Sequence, residues 1–88
     1  MKAKADFVVR NVVGEYILMP TNDNISKFDG TVVLNEVSAF IWNQLQQETT
    51  QEAVLAAVLE EFDVTREVAA KDLQALLGSF EEMGLLEA

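Results

Sequence analysis

The periodicity of the apolar residues changes once along the chain, at Asn35. Before it, apolar residues fall in short runs of β-branched and aromatic side chains bounded by turn-forming residues, the pattern of strands. After it, they recur every three to four positions, the spacing that builds one face of an α-helix. Because a sheet and an amphipathic helix each have an apolar face to cover, the chain is expected to fold as α+β, with a small sheet followed by helices.

Three short strands are predicted, and their close spacing favours an antiparallel sheet. They cover residues 7–10, 16–19 and 31–34. Gly14-Glu15 is typical of a two-residue hairpin with Gly at the first turn position. Pro20 is expected to end the second strand because proline has no N–H to donate. Asp29-Gly30 is a second turn signal, placed just before the third strand.

Three amphipathic helices are predicted after the sheet, each with a start or stop signal. Asn35 is expected to cap the first, residues 49–52 form a capping-box pattern before the second, and Thr65 is expected to cap the third. Gly84 lies where a glycine ends a helix, and Leu85-Leu86 is expected to fold back as an apolar tail. The predicted apolar stripes are Val37, Phe40, Ile41 and Leu45; Val54, Leu55, Val58, Leu59 and Phe62; and Ala69, Leu73, Leu76, Phe80 and Met83.

Length and charge limit the classes of function. The 88 residues, half of them apolar, are expected to form a single domain over residues 1–88. A net charge of −9 with only six Lys and Arg is unsuited to a phosphate backbone, so no nucleic acid partner is expected. The acidity favours a partner with basic residues or serves only solubility. No apolar run predicts a signal peptide or a membrane helix, so no membrane partner and a cytoplasmic location are expected.

Catalytic and metal-binding residues are missing from the sequence pattern. With no Cys and no His, there is no thiol nucleophile, no zinc site and no base for Ser26, Ser38 or Ser79. The carboxylates of residues 60–63 and 81–82 fall on predicted solvent faces, and the loop at 21–24 lacks the closing glutamate of a calcium site. We therefore expect no catalytic residue, no metal and no cofactor, and a protein that is not an enzyme.

Two features are open to a binding role. A three-stranded sheet has two edges, and an uncovered edge is either blunted or used to accept an incoming peptide strand. Trp42 lies off the main stripe of the first helix, where it is either core or a ligand contact.

The order of these elements resembles the PqqD family. Residues 31–36 (TVVLNE) followed by Ile41-Trp42 are similar to that family's strand, L-N-E and helix with I-W. Residues 72–77 and the ending at 82–86 (EMGLL) are similar to its D-L, L and G-L-L close. The resemblance covers nearly the whole chain.

The resemblance implies a winged helix-turn-helix fold that binds the leader of a ribosomally made precursor peptide and presents it to a modifying enzyme, often a radical SAM enzyme. The leader would be added as a strand beside the third strand and lie in a cleft against the third helix. The implied peptide-binding residues are Gly30, Thr31, Val32, Val33 and Leu34, with Val68, Asp72, Ala75 and Ser79 on the third helix. The opposite flank, with Ala70 and Leu77, is the alternative. The chain is expected to be a monomer or a weak homodimer.

Two other functions share this architecture. A winged-helix DNA-binding regulator would read bases with its third helix, but Arg66 and Lys71 are outnumbered there by Glu67, Asp72 and the 81–82 pair. A structural interaction protein without a peptide ligand is the other alternative, which composition does not exclude.

Overall fold

A computed structural model describes residues 1–4, 7–20 and 32–87, and of Pro20 it describes the backbone only. The three strands are β1 (Phe7–Val12), β2 (Glu15–Pro20) and β3 (Val32–Leu34). They form an antiparallel sheet in the order β1-β2-β3, so β3 lies at one edge. The loop at 21–24, the Asp29-Gly30 turn and Thr31 lie outside the described residues.

Three helices follow the sheet: α1 (Glu36–Gln44), α2 (Gln51–Glu61) and α3 (Arg66–Glu82). The expected α+β fold of the winged helix-turn-helix kind is confirmed. Asn35 caps α1 by accepting from the Ser38 N–H at 2.8 Å, and Thr65 caps α3 by accepting from the Val68 N–H at 3.3 Å. The cap of α2 is Thr50, which accepts from the Ala53 N–H at 3.2 Å, so this helix starts within the predicted capping segment.

The hairpin turn differs from the prediction by one residue. Val12 pairs with Glu15, which leaves Val13 and Gly14 as the two turn residues. Both have positive φ, 51° and 82°, as a type I′ turn requires. Gly14 is the second turn residue rather than the first because strand pairing extends beyond the apolar runs, to Val12 in β1 and to Glu15 in β2. Val13 is therefore a β-branched residue in left-handed backbone, and its side chain is 98% exposed.

The C-terminal end of α3 is closed as the sequence predicts. Gly84 adopts a φ of 74°, its N–H donates to the Glu81 carbonyl, and the Leu85 N–H donates to the Phe80 carbonyl at 2.9 Å. This pair of bonds is a Schellman motif. The tail then folds back, with Leu85 fully buried.

The N-terminal segment pairs with this tail, a contact that local sequence signals did not indicate. Ala3 and Leu86 form an antiparallel bridge, and the Ala3 N–H donates to the Leu45 carbonyl at 2.8 Å. The Met1 ammonium donates to the Glu48 Oε1 and to the Thr49 carbonyl, each at 2.7 Å. The N-terminal segment thus lies between the tail and the end of α1 and is hydrogen-bonded to both.

One apolar core joins the sheet to all three helices. Trp42 belongs to it: the side chain is buried, and its ring meets the Phe80 ring edge-to-face at 5.3 Å. Trp42 was expected to be either a core residue or a ligand contact, and the structure shows that it is a core residue.

The predicted stripe of α3 needs two corrections. Met83 is 41% exposed, whereas Leu77, placed at the margin by the sequence, is buried at 7% exposure. α3 is therefore rotated slightly about its axis from the predicted orientation, so that Leu77 and not Met83 belongs to its buried face.

Candidate functional site

A groove of about 480 Å³ lies between the start of α1, the end of α2 and one side of α3. Its volume falls in the range of small-ligand and peptide-side-chain pockets. Its floor is buried and apolar, formed by Ile41, Val58, Ala69 and Leu73. The groove is therefore suited to receive apolar side chains, with water displaced from a surface that the fold leaves partly uncovered.

One flank of α3 forms a wall of this groove. Val68, Asp72, Ala75 and Ser79 all line it, and all four are exposed. Their spacing of four, three and four residues is that of a single stripe along a helix. The structure thus gathers the third-helix residues of the sequence prediction on one surface.

The alternative flank faces the core instead. Leu77 is buried, and Ala70 is half-buried and packed against the core cluster. Neither lines the groove.

The edge strand β3 ends next to the groove, although none of its three residues lines it. Val32, Val33 and Leu34 pair with Leu18, Ile17 and Tyr16 of β2, and no strand among the described residues pairs with the other side of β3. Leu34 is buried and Val32 packs against the core, whereas Val33 points to the opposite face of the sheet and is 60% exposed. Asn35, which follows Leu34, lines the groove. Of the predicted strand residues, Gly30 and Thr31 lie outside the described part of the chain.

Sequence reasoning missed the contribution of the other two helices. Val37 and Ser38 of α1 line the groove, as do Phe62 and Val64 between α2 and α3. Val64 lies in the break between the predicted stripe of the second helix, which ends at Phe62, and the predicted cap Thr65, and it is 39% exposed. An apolar residue at such a break is the one sequence signal that could have indicated that Val64 belongs to a site. Phe62 is held there by an edge-to-face contact with Phe40 at 5.3 Å.

The polar side of the groove is small. Of the described residues that line it, Asp72 alone is charged, and Asn35, Ser38 and Ser79 are the other polar ones. The described part of the chain contains no group of three metal-ligating side chains and no helix that is long and apolar enough to span a membrane. The groove therefore offers shape, apolar surface and one negative charge.

The family model described as coenzyme PQQ synthesis protein D (PqqD) matches residues 15–86, which is most of the chain. The chain belongs to the PqqD family. This agrees with the resemblance of its strand, L-N-E and G-L-L segments. The match begins at β2 and includes β3, the three helices and the paired tail.

Two solved structures share the fold of this PqqD family member. One is TbiB1 in complex with the TbiA(beta) leader peptide, with a TM-score of 0.77, 24% identity, and coverage of 100% of this chain and 96% of that chain. The other is lasso peptide synthetase B1 complexed with the leader peptide, with a TM-score of 0.71, 21% identity, and coverage of 96% and 93%. At these identities the likeness shows a common fold. A comparison with curated proteins found none that matches the chain.

Proposed function

We propose that this protein binds the leader segment of a ribosomally made precursor peptide and presents it to a modifying enzyme. The observation that carries the proposal is an edge of β3 that no described strand covers and that ends next to an apolar groove. A sheet edge supplies backbone hydrogen bonds to any extended peptide, while a neighbouring groove selects its side chains. Together they meet both needs of peptide recognition by strand addition.

The proposed peptide-binding residues are those of the sequence prediction. The backbone of Gly30 to Leu34 would pair with the leader, and Val68, Asp72, Ala75 and Ser79 would contact its side chains. Membership of the PqqD family supports this assignment. So does the shared fold with two proteins whose structures contain leader peptides.

We assign to this chain binding alone, and to a partner enzyme the chemistry on the peptide. The described lining of the groove has a single carboxylate and no second titratable side chain to share proton transfer with it. The partner would be a peptide-modifying enzyme, a radical SAM enzyme being the type that the family resemblance implies. Cytoplasmic synthesis of the precursor would place the complex in the cytoplasm.

Backbone pairing can be tested on peptides selected from a displayed random library with the purified chain. When such a peptide is titrated into the isotope-labelled protein, the amide NMR signals of Val32, Val33 and Leu34 should shift. The peptide is then N-methylated one position at a time. Only every second N–H of an added strand faces β3, so affinity should fall at alternate positions.

A different pattern would contradict strand addition. If the signals of β3 remain in place while others move, the peptide binds elsewhere. If N-methylation weakens binding every third or fourth position, or not at all, the peptide is not bound as a strand. Either result would remove the proposed binding mode.

A further inference from the structure

Asp72 is isolated within the wall of the groove. On α3 its neighbours one turn away in both directions are Val68, Ala69, Ala75 and Leu76, none of which carries a charge. Side chains at these positions are the ones that a helical residue can contact on its own helix. α3 therefore supplies no cation to Asp72.

The other walls of the groove supply none either. Among the described residues no Lys or Arg lines it, and the ion pair found there joins the Met1 ammonium to Glu48, neither of which lines the groove. Among the residues that the structure describes, Asp72 thus has no cationic partner, and its carboxylate lines a mainly apolar groove. Water solvates this carboxylate as long as the groove is open.

The N-terminus of α1 also opens on the groove and has the opposite polarity. A helix N-terminus is equivalent to roughly half a positive charge. This one already has Glu36 in its first turn and the side chain of Asn35 bound to the Ser38 N–H. The full charge of Asp72 therefore exceeds what α1 offers, and the groove is negative overall.

A peptide that covers this wall displaces the water that solvates Asp72. Burying a carboxylate without a partner is costly, and a second negative charge beside it raises the cost further. A cation within hydrogen-bond distance offsets the loss through a charge-assisted bond. The groove should therefore discriminate between peptides by the charge of the one side chain that lies beside Asp72.

We propose that Asp72 selects leaders that carry a Lys or Arg on the same face of the added strand as the apolar side chain that fills the groove. The inference rests on the proposed function and deepens it by naming the ligand chemistry. The stripe from Val68 to Ser79 is about 16 Å long at 1.5 Å per residue, enough for roughly five residues of an extended strand. Alternate side chains of a strand share a face, so the basic residue should stand two or four positions along the peptide from the apolar one.

The experiment is a parallel selection from the displayed peptide library. We expect peptides enriched on the wild-type chain to contain Lys or Arg at a fixed, even spacing from an apolar residue. Selection on Asp72→Asn should lose the basic preference and keep the apolar one, and Asp72→Lys should enrich Asp or Glu at the same position. The wild-type-selected peptide should bind Asp72→Asn about 3- to 10-fold more weakly, an effect that high salt reduces.

Glu81→Gln is the matched control. It removes the same charge from the same helix, but Glu81 is nine residues from Asp72, half a turn around the helix, and does not line the groove. Its selected peptides should match those of the wild type. Circular dichroism on each variant checks that the helices are intact, as expected for substitutions at exposed positions.

The possible results separate this inference from the proposed function. Peptides that bind and shift the signals of β3 but show no basic preference, or one that Asp72→Asn leaves unchanged, would overturn the role of Asp72 alone. A library that yields no binder, or only binders that leave β3 unaffected, would overturn the proposed function and the inference with it.

Discussion

Enlarging Ala75 should weaken peptide binding without weakening the fold. Ala75 is exposed on the groove-lining flank of α3, so Ala75→Gln places four additional heavy atoms in the groove and breaks no core contact. The expected loss of folding stability is only the difference in helix propensity, a few tenths of a kcal/mol. Within the complex, the amide either blocks the peptide side chain or is buried without a partner, which costs about 1–3 kcal/mol. The dissociation constant should therefore rise about 5- to 150-fold.

The same substitution at Ala56 separates the two effects. Ala56 is an exposed alanine of α2 that does not line the groove, so Ala56→Gln has the same propensity cost and adds the same atoms. Thermal denaturation should give nearly equal curves for both variants, and calorimetric titration with the selected peptide should distinguish them. Equal affinity for the two variants, with both folded, would show that peptide side chains do not lie against this flank of α3. Unfolding of Ala75→Gln alone would show that the position is part of the core.

Three further outcomes are expected. Phe80→Ala removes a fully buried ring that contacts Trp42 and should lower the free energy of unfolding by about 3–5 kcal/mol. This is a large share of the roughly 5–15 kcal/mol that stabilises a small domain, and denaturant titrations followed by Trp42 fluorescence would measure it. A loss below about 1 kcal/mol would refute the assigned packing. Val13→Asn replaces an exposed β-branched residue at a φ of 51° with one that tolerates this backbone, and should raise stability by about 1 kcal/mol; a lower melting temperature would contradict the strain at the turn. Duplex DNA should bind no more tightly than about millimolar at physiological salt, and micromolar binding with a steep salt dependence would revive the regulator alternative.

Much of the site's wall could be predicted from the sequence, whereas its floor could not. Helical spacing places Val68, Asp72, Ala75 and Ser79 on one stripe of α3, but it left the opposite flank, with Ala70 and Leu77, as an alternative wall. The floor combines Ile41 of α1 and Val58 of α2 with Ala69 and Leu73 of α3. All four were predicted as core, but which part of a core lies beneath a groove depends on how the three helices are packed, and no local pattern indicates it.

The secondary structure was determined by interactions within a few residues. Asn35 and Thr65 cap their helices, and Gly84 ends α3, because each acts on backbone groups of its own helix end. The change of period at Asn35 separates strands from helices for a similarly local reason, since side-chain direction repeats differently in the two elements.

Tertiary structure decided the features that depend on distant partners. The turn is at Val13 because pairing between β1 and β2 extends to Val12 and Glu15, and register is a property of two strands together. Leu77 is buried and Met83 exposed because neighbouring elements determine how α3 is oriented about its axis. Ala3 pairs with Leu86 across almost the whole sequence, through backbone groups that every residue possesses and that no side-chain pattern distinguishes.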